Sequence, residues 1–395
     1  MLFYSEPEFV ASPGGAKRFL SLAFRLGLCG DLWRSYLTYL LLSDENPFSL
    51  SCETNGTPDK NMAYLAAGDV KTMIRLFGAV PESLTSELGP NGVSAIREFH
   101  AARHCAIGEV VRDMAGKLAD APDAETATAL LADFYGSRGV GRFSFYHAFR
   151  AGFESGRVTL RPIEETEQVS LVDLVGYEIQ KRELIANTEA FIAGRPANNV
   201  LLYGDGGTGK STSIRALIND YRDTRLRMVE VCRQHFVALP DIFEALGRRN
   251  YRFIIFIDDL SFEEHETEYK ALKAAVEGGL AARPENVLIY ATSNRRHIIR
   301  ETWGDRDDME HNGDIHRSDT VEEKLSLASR FGLALNYSAP NRKEYHEMVK
   351  TLAERAGLDG DSLTAGANAW EIRHGGLSGR TARQYVNYIL SGEVK

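Results

Sequence analysis

One glycine-rich run near the middle of the chain has residue types and spacing that could bind phosphate. It reads Gly-Asp-Gly-Gly-Thr-Gly-Lys-Ser and matches the P-loop pattern G-x-x-x-x-G-K-S/T at every position. Glycines let backbone N–H groups turn inward around a polyphosphate, and a following helix adds its positive N-terminal end. The run predicts a nucleotide site. The expected binding residues are Gly204, Asp205, Gly206, Gly207, Thr208, Gly209, Lys210, Ser211 and Thr212.

Two residues of this run have distinct expected roles. Lys210 can neutralise the β and γ phosphates of a nucleotide, and Ser211 offers a small hydroxyl to Mg²⁺, an ion that takes few protein ligands. Thr212 stands one position too late to replace Ser211 well. The run therefore predicts magnesium together with the nucleotide.

A pair of carboxylates follows an apolar stretch farther along the chain. The stretch Phe253–Ile257 ends directly in Asp258 and Asp259, which is how a central strand delivers carboxylates to a phosphate site. We expect Asp258 to hold the water shell of Mg²⁺, and Asp259 to orient or deprotonate an attacking water. An ordinary acidic loop after a strand is the alternative reading.

The pattern around these residues predicts the elements that position them. Short apolar runs alternate with helical periodicity, which favours a parallel sheet covered on both faces and so an α/β P-loop NTPase fold. After Pro340 the pattern becomes helical and suggests a small lid. The predicted strands are 199–203, 227–231, 252–257 and 286–291, and the predicted helices are 177–193, 341–357, 362–373 and 380–390.

Three domains are expected from these changes in pattern. Residues 1–160 are predicted to form a mainly helical N-terminal domain, 161–338 the α/β nucleotide-binding domain, and 339–395 the helical lid. Residues 160–170 are polar and acidic and suggest a linker or an extended start of the second domain.

Composition limits the classes of function. The 395 residues carry a net charge of −9, so no global positive field would hold nucleic acid. The most apolar stretch, 19–42, is interrupted by Arg25, Asp31 and Arg34, and the N-terminus lacks a secretory pattern. We therefore expect no membrane span and a cytoplasmic location. The four cysteines have no zinc-like spacing.

Residues 170–395 resemble the AAA+ ATPases in more than the P-loop. The segment 174–177, with Val175 and Gly176, is similar to the part that this family places against adenine, so the resemblance implies ATP. The segment 288–294 resembles the sensor-1 strand, whose terminal residue, here Asn294, reports on the γ-phosphate and the attacking water. An ordinary asparagine at a strand end is the alternative.

Two further segments bear on assembly and on the lid. The segment 323–332 is similar to the one that carries the family's arginine finger, which implies that Arg330 reaches the ATP of a neighbouring subunit in a homo-oligomer. A surface arginine at a helix end is the alternative. The segment 376–383 resembles the sensor-2 start of a lid helix, where Arg380 is preferred over Arg383 as the nucleotide contact.

The segments 258–264 and 290–297 resemble a bacterial family of predicted AAA+ proteins classed as a domain of unknown function, and more distantly the replication initiators and helicase loaders. Two functions stay open. The first is ATP hydrolysis that rearranges the N-terminal domain or a bound protein partner. The second is a slowly hydrolysing assembly switch or loader, which Asp259 favours because hydrolytic AAA+ proteins more commonly use glutamate.

A third function, action on nucleic acid, is suggested by four basic residues after the predicted sensor strand. It is not favoured, because the overall charge is acidic. The acidic segment 303–319 is predicted to be a mobile loop near a subunit interface, and its histidines lack a metal-ligand spacing. The basic residues are Arg295, Arg296, His297 and Arg300.

Overall fold

The chain divides into two compact units, and each is described here by itself. The computed structural model describes residues 14–100, 106–154, 156–260, 267–277, 283–294 and 330–392. The first unit runs to Tyr146 and the second begins at His147. The second unit therefore begins before residue 160, where the sequence suggested a boundary.

The described part of the first unit is helical. Its helices surround an apolar core in which Phe19, Trp33 and Tyr36 pack with ring centroids 5.6–6.3 Å apart. A kink interrupts α5 at Gly89 and Pro90. The helices are α1 (Gly15–Leu26), α2 (Leu32–Ser43), α3 (Pro47–Asn55), α4 (Lys60–Leu76), α5 (Glu82–Arg97), α6 (Ala106–Ala119), α7 (Ala124–Arg138) and α8 (Arg142–Phe145).

The second unit is built on a seven-stranded sheet in the order β2-β1-β4-β5-β6-β3-β7. All neighbouring pairs are parallel except β1 and β2, which form an antiparallel pair at one edge. The strands are β1 (Ala148–Glu154), β2 (Arg157–Pro162), β3 (Val200–Gly204), β4 (Leu226–Glu230), β5 (Arg252–Ile257), β6 (Val287–Ser293) and β7 (Leu333–Tyr337).

The central strands β5 and β6 are mostly apolar and almost entirely buried. Every residue of β6 is buried, and in β5 only Arg252 is not, as expected for parallel strands without a solvent face. Helices in this part are α9 (Glu178–Ile192), α10 (Lys210–Asp220), α11 (Leu239–Gly247) and α12 (Thr267–Glu277), with 3-10 turns at Leu171–Asp173 and Arg233–Ala238.

Three helices follow β7 in the range predicted for the lid: α13 (Arg342–Arg355), α14 (Gly360–Arg373) and α15 (Gly379–Leu390). They share an apolar cluster of their own, which includes Tyr345 and Tyr385. Reciprocal capping hydrogen bonds begin two of them. Asn341 caps α13 together with Glu344, and Ser378 caps α15 together with Thr381.

The predicted strands and lid helices are confirmed to within about two residues at most ends. Strands β1 and β2 were not predicted, since residues 1–160 were expected to be mainly helical. The start of the predicted linker, Leu160–Pro162, lies in β2. Among the residues described, no helix has the length and apolar character needed to cross a membrane.

Candidate nucleotide-binding site

The P-loop lies between the end of β3 and the start of α10, as its motif requires. Three of its glycines have positive φ: 130° at Gly204, 76° at Gly207 and 96° at Gly209. A Cβ at Gly204 would collide with the carbonyl oxygen of Tyr337 on β7. Glycine is needed here because side chains rarely adopt this conformation.

Lys210 is the first residue of α10, and the residue is only 5% exposed. The ammonium Nζ donates to the carbonyl oxygens of Gly204 at 2.9 Å and Asp205 at 2.5 Å. Burial lowers the pKa of Lys210, and the carboxylates of Asp205, Asp259 and Asp258 oppose this effect. The cation is thus held inside the loop that would surround a phosphate.

Asp258, directly after β5, is the centre of a small hydrogen-bond network. Its Oδ1 accepts from Ser211 Oγ at 2.5 Å and from Thr292 Oγ1 at 2.7 Å. Its Oδ2 accepts from Arg215 Nη2 at 2.8 Å. The structure therefore brings together Ser211 and Asp258, the two residues predicted to serve Mg²⁺.

Asp259 faces the same cleft and has φ of 53°, a left-handed conformation uncommon for residues other than glycine. Its backbone N–H donates to Thr292 Oγ1 at 2.9 Å, and its Oδ1 accepts from Asn294 Nδ2 at 2.8 Å. The predicted water-activating residue and the predicted sensor asparagine are thus in direct contact.

A cleft of about 630 Å³ contains these groups. One end is apolar, and the lid contributes Arg380 and Arg383. The backbone N–H of Arg380 donates to Gly207 O at 3.1 Å, which joins the lid directly to the P-loop. The lining residues are Glu167, Asp173, Leu174, Val175, Tyr177, Gly206, Gly207, Thr208, Gly209, Lys210, Ser211, Thr212, Arg215, Asp258, Asp259, Asn294, Met348, Leu352, Gly379, Arg380 and Arg383.

Three expected nucleotide-binding residues, Gly176, Gly204 and Asp205, lie beside the cleft lining rather than in it. Gly176 has φ of 86°, and a Cβ there would stand 2.9 Å from the methyl group of Met348. Asp205 Oδ2 accepts from the backbone N–H of Ala339 at 2.6 Å, next to the start of the lid. These residues shape the loop and its connection to the lid.

Arg330, the predicted arginine finger, is exposed and is not among the described residues that line this cleft. Its predicted role concerns a neighbouring subunit and stays a prediction. Several features named in the sequence lie outside the described residues. They are the basic residues Arg295, Arg296, His297 and Arg300, and the acidic segment 303–319.

Sequence reasoning missed four polar residues of this site: Arg215, Glu167, Thr292 and Asp173. Arg215 follows Ser211 by one helical turn on α10, and that spacing could have indicated that both face Asp258. Thr292 belongs to the segment compared with sensor 1, but only the terminal Asn294 was singled out there. Glu167 lies in the segment that the sequence suggested to be a linker. Nothing in its local sequence indicates a residue of the nucleotide site.

The residues present fit a magnesium-bound nucleoside triphosphate. The glycine turns and the start of α10 suit the phosphates, and Ser211 stands beside a carboxylate as a magnesium ligand would. Within the described ranges, no group of three or more His, Cys, Asp or Glu side chains could hold a metal by itself. A metal here would share its coordination with phosphate and water.

A family model described as "Protein of unknown function (DUF815)" matches residues 144–393, from the end of the first unit through the lid. The chain belongs to this family. The match includes the whole sheet, the P-loop and the three lid helices. The second unit of this DUF815 protein is a AAA+-type α/β P-loop module, since its parallel sheet carries the P-loop after β3 and a helical lid follows β7.

Curated relatives of the DUF815 chain include two proteasome-activating nucleotidases. The one from Methanocaldococcus jannaschii is 22% identical over 227 residues, covering 52% of this chain and 48% of the relative. The one from Sulfurisphaera tokodaii is 24% identical over 261 residues, covering 56% and 61%. The chain thus spans between about half and three fifths of the length of these relatives.

Solved structures similar to this chain include a RuvB variant from Thermotoga maritima, with 18% identity, a TM-score of 0.38 and coverage of 56% of this chain and 64% of that one. PCH-2 from C. elegans matches with 16% identity and a TM-score of 0.37, covering 57% and 65%.

Proposed function

We propose that this DUF815 protein binds ATP with Mg²⁺ and hydrolyses it to ADP and phosphate. The free energy released would rearrange the N-terminal unit or a bound partner. The observation that carries the proposal is the contact of Asp259 with Asn294, next to the Asp258–Ser211 pair and facing the P-loop cleft. The names of the two archaeal relatives, proteasome-activating nucleotidases, support a protein as the partner.

Binding would use the P-loop and the apolar end of the cleft. Backbone N–H groups of the loop donate to the phosphates, and the Lys210 ammonium exchanges loop carbonyl oxygens for phosphate oxygens. The adenine would lie against Val175 and Tyr177, with Met348 and Leu352 on the lid side. Arg380 would reach the phosphates from the lid.

Hydrolysis would use the residues at the ends of β5 and β6. Bound Mg²⁺ supplies charge neutralisation for the phosphates, and Ser211 and Asp258 are the residues that would hold it with its waters. Asp259 would orient a water and accept its proton, because its carboxylate is exposed to the cleft and held by Asn294. We propose that Arg330 completes the site of a neighbouring subunit in a homo-oligomer.

A second candidate function is a slowly hydrolysing switch that acts by holding a partner while ATP is bound. Two observations favour it. Asp259 reaches one methylene less far than glutamate and has a strained φ of 53°. Both carboxylate oxygens of Asp258 already accept hydrogen bonds from protein groups.

The deciding experiment is ATP turnover across a protein dilution series, with the molecular mass measured with and without ATP and Mg²⁺. Lys210→Ala is the variant that should not bind nucleotide. Turnover that rises with protein concentration supports an assembled ATPase. Tight ATP binding with almost no turnover supports the switch, and the absence of nucleotide binding contradicts both functions.

A further inference from the structure

Arg215 stands between two carboxylates at the edge of the nucleotide cleft. Its Nη2 donates to Asp258 Oδ2 at 2.8 Å, while its Nη1 lies 4.0 Å from Glu167 Oε2. The guanidinium also lies over the ring of Phe256, 5.7 Å from the centroid. The side chain is 41% exposed, so it has room to move.

The contact matters because Asp258 is the carboxylate expected to serve Mg²⁺. Two hydroxyl groups, from Ser211 and Thr292, donate to Oδ1, and Arg215 donates to Oδ2. A hydrated magnesium ion binds through waters that also donate to such a carboxylate. The guanidinium and the hydrated ion therefore compete for Oδ2, and two cations so close together repel each other.

Glu167 offers an alternative acceptor. It lines the cleft beside Arg215, and only a small movement of the guanidinium would convert the 4.0 Å separation into a hydrogen-bonded ion pair. Arg215 has five N–H donors in a rigid fork, so it can exchange one carboxylate for the other without losing all its partners.

We propose that Arg215 is a positioning residue that sets the magnesium affinity of the nucleotide site, by occupying Asp258 when the ion is absent and moving to Glu167 when it binds. This inference rests on the proposed binding of nucleotide with Mg²⁺. It assigns opposite effects to two neighbouring side chains. Arg215 raises the magnesium concentration that the site needs, and Glu167 lowers it.

The test is nucleotide binding, followed with a fluorescent ADP analogue over a series of free Mg²⁺ concentrations. The measured quantity is the concentration that gives half of the magnesium-dependent change in affinity. In Arg215→Gln it should fall on the order of fivefold, because one competing positive charge is removed. In Glu167→Gln it should rise, because Arg215 then keeps Asp258 alone of the two carboxylates between which it stands. Arg215→Lys should give an intermediate value.

Two control variants separate this role from general electrostatics. Arg383→Gln removes another guanidinium from the cleft, and Asp173→Asn removes another carboxylate. Arg383→Gln should change the magnesium requirement less than Arg215→Gln does, and Asp173→Asn should change it less than Glu167→Gln does. Equal changes in the controls, or an unchanged or higher requirement in Arg215→Gln, would overturn the proposal.

The outcomes for the two proposals are distinct. If the unmodified protein binds no nucleotide with or without Mg²⁺, the proposed function fails. If nucleotide binds but the Arg215 variants only lower the melting temperature, Arg215 stabilises α10 and does not set the magnesium affinity. The inference about Arg215 then fails, while the proposed function stands. If Arg215→Gln does not fold, Glu167→Gln and Arg215→Lys still decide the sign of the effect.

Discussion

The side-chain amide of Asn294 donates a hydrogen bond to the carboxylate of Asp259 at 2.8 Å. The two residues are far apart in the chain but follow neighbouring parallel strands, β6 and β5, so both lie at the same edge of the sheet. The bond engages Oδ1 of Asp259. Oδ2 is therefore the oxygen that we expect to accept a proton from water.

Replacing Asp259 by asparagine should separate binding from hydrolysis. Asp259→Asn removes the proton acceptor but keeps the size of the side chain, so turnover should fall at least about 100-fold while ATP affinity changes little. Phosphate release and equilibrium binding measure the two quantities. If hydrolysis persists, the base lies elsewhere, for example at Glu263 or Glu264, which are outside the described residues.

Arg330→Ala should lower ATP turnover only when the protein is assembled into an oligomer. Because Arg330 is exposed and outside the cleft of its own subunit, ATP affinity should not change. If Arg330 acts as an arginine finger, turnover at high protein concentration should fall on the order of 1000-fold or more. Mixing Arg330→Ala with Asp259→Asn protein should restore part of the activity, since a mixed interface contains one complete site. Turnover that is independent of protein concentration would contradict the proposal that Arg330 acts in the site of a neighbouring subunit.

The two lid arginines should differ in their effect on nucleotide affinity. Arg380 is the second residue of α15 and its backbone N–H donates to Gly207 O, whereas Arg383 lies one helical turn farther on. Arg380→Ala should therefore weaken ATP binding about tenfold, and Arg383→Ala clearly less. Equilibrium binding to both variants is the measurement. A larger loss in Arg383→Ala would assign the nucleotide contact to Arg383 instead.

Gly207→Ala should destabilise the nucleotide-free protein. Its φ is 76°, and a Cβ there would stand 3.1 Å from Ser378 Oγ and 3.2 Å from Arg380 Cβ. The left-handed conformation alone should cost about 1–2 kcal/mol in the free energy of unfolding. Gly206→Ala is the control, because a Cβ at Gly206 would meet no atom within 4 Å. Thermal melts of both variants should differ, and equal melting temperatures would contradict this view of the contact between P-loop and lid.

Nucleotide affinity should depend on pH through Lys210. Burial lowers the pKa of its ammonium below the usual 10.5. Only the protonated, positively charged form of Lys210 attracts the phosphates of the nucleotide. As pH rises through this lowered pKa, affinity should fall by up to about tenfold per pH unit. Lys210→Arg stays charged, so any affinity it retains should be flat over the same range. Titrations in EDTA from neutral pH to pH 10.5 measure this. A flat profile in the unmodified protein would contradict it.

The same shift affects folding with a definite sign. The unfolded chain, with an ordinary lysine, binds the proton more strongly than the folded one does. The contribution of Lys210 to the free energy of unfolding should therefore increase as pH rises through the lowered pKa, and level off above 10.5.

Local signals in the sequence were sufficient for the P-loop and the central strands. The loop is contiguous, and β5 and β6 are long apolar runs bounded by polar residues. Strand β1 has mixed residues, Ala-Phe-Arg-Ala-Gly-Phe-Glu, and β2 ends in proline. Their pairing with each other and with β4 depends on contacts between distant parts of the chain, which local pattern does not encode.

The polar network around Asp258 shows the same limit. Adjacent aspartates after a strand indicated carboxylates at the sheet edge, and Asp258 and Asp259 line the cleft there. The choice of hydrogen-bond partners was beyond prediction, because Thr292 comes from a neighbouring strand and Glu167 from a segment with no regular structure. These partners become visible only after the sheet order is known.

Tyr177 packs against the apolar cluster of the sheet and also against that of the lid, and its ring stacks on Tyr337 with centroids 4.8 Å apart. Its hydroxyl donates to Ser338 O at 2.8 Å, just before the lid begins. If the lid unfolded by itself, the ring of Tyr177, which also packs against the apolar cluster of the sheet, would become exposed. Heat or denaturant should therefore unfold residues 147–392 in a single cooperative transition rather than release the lid first.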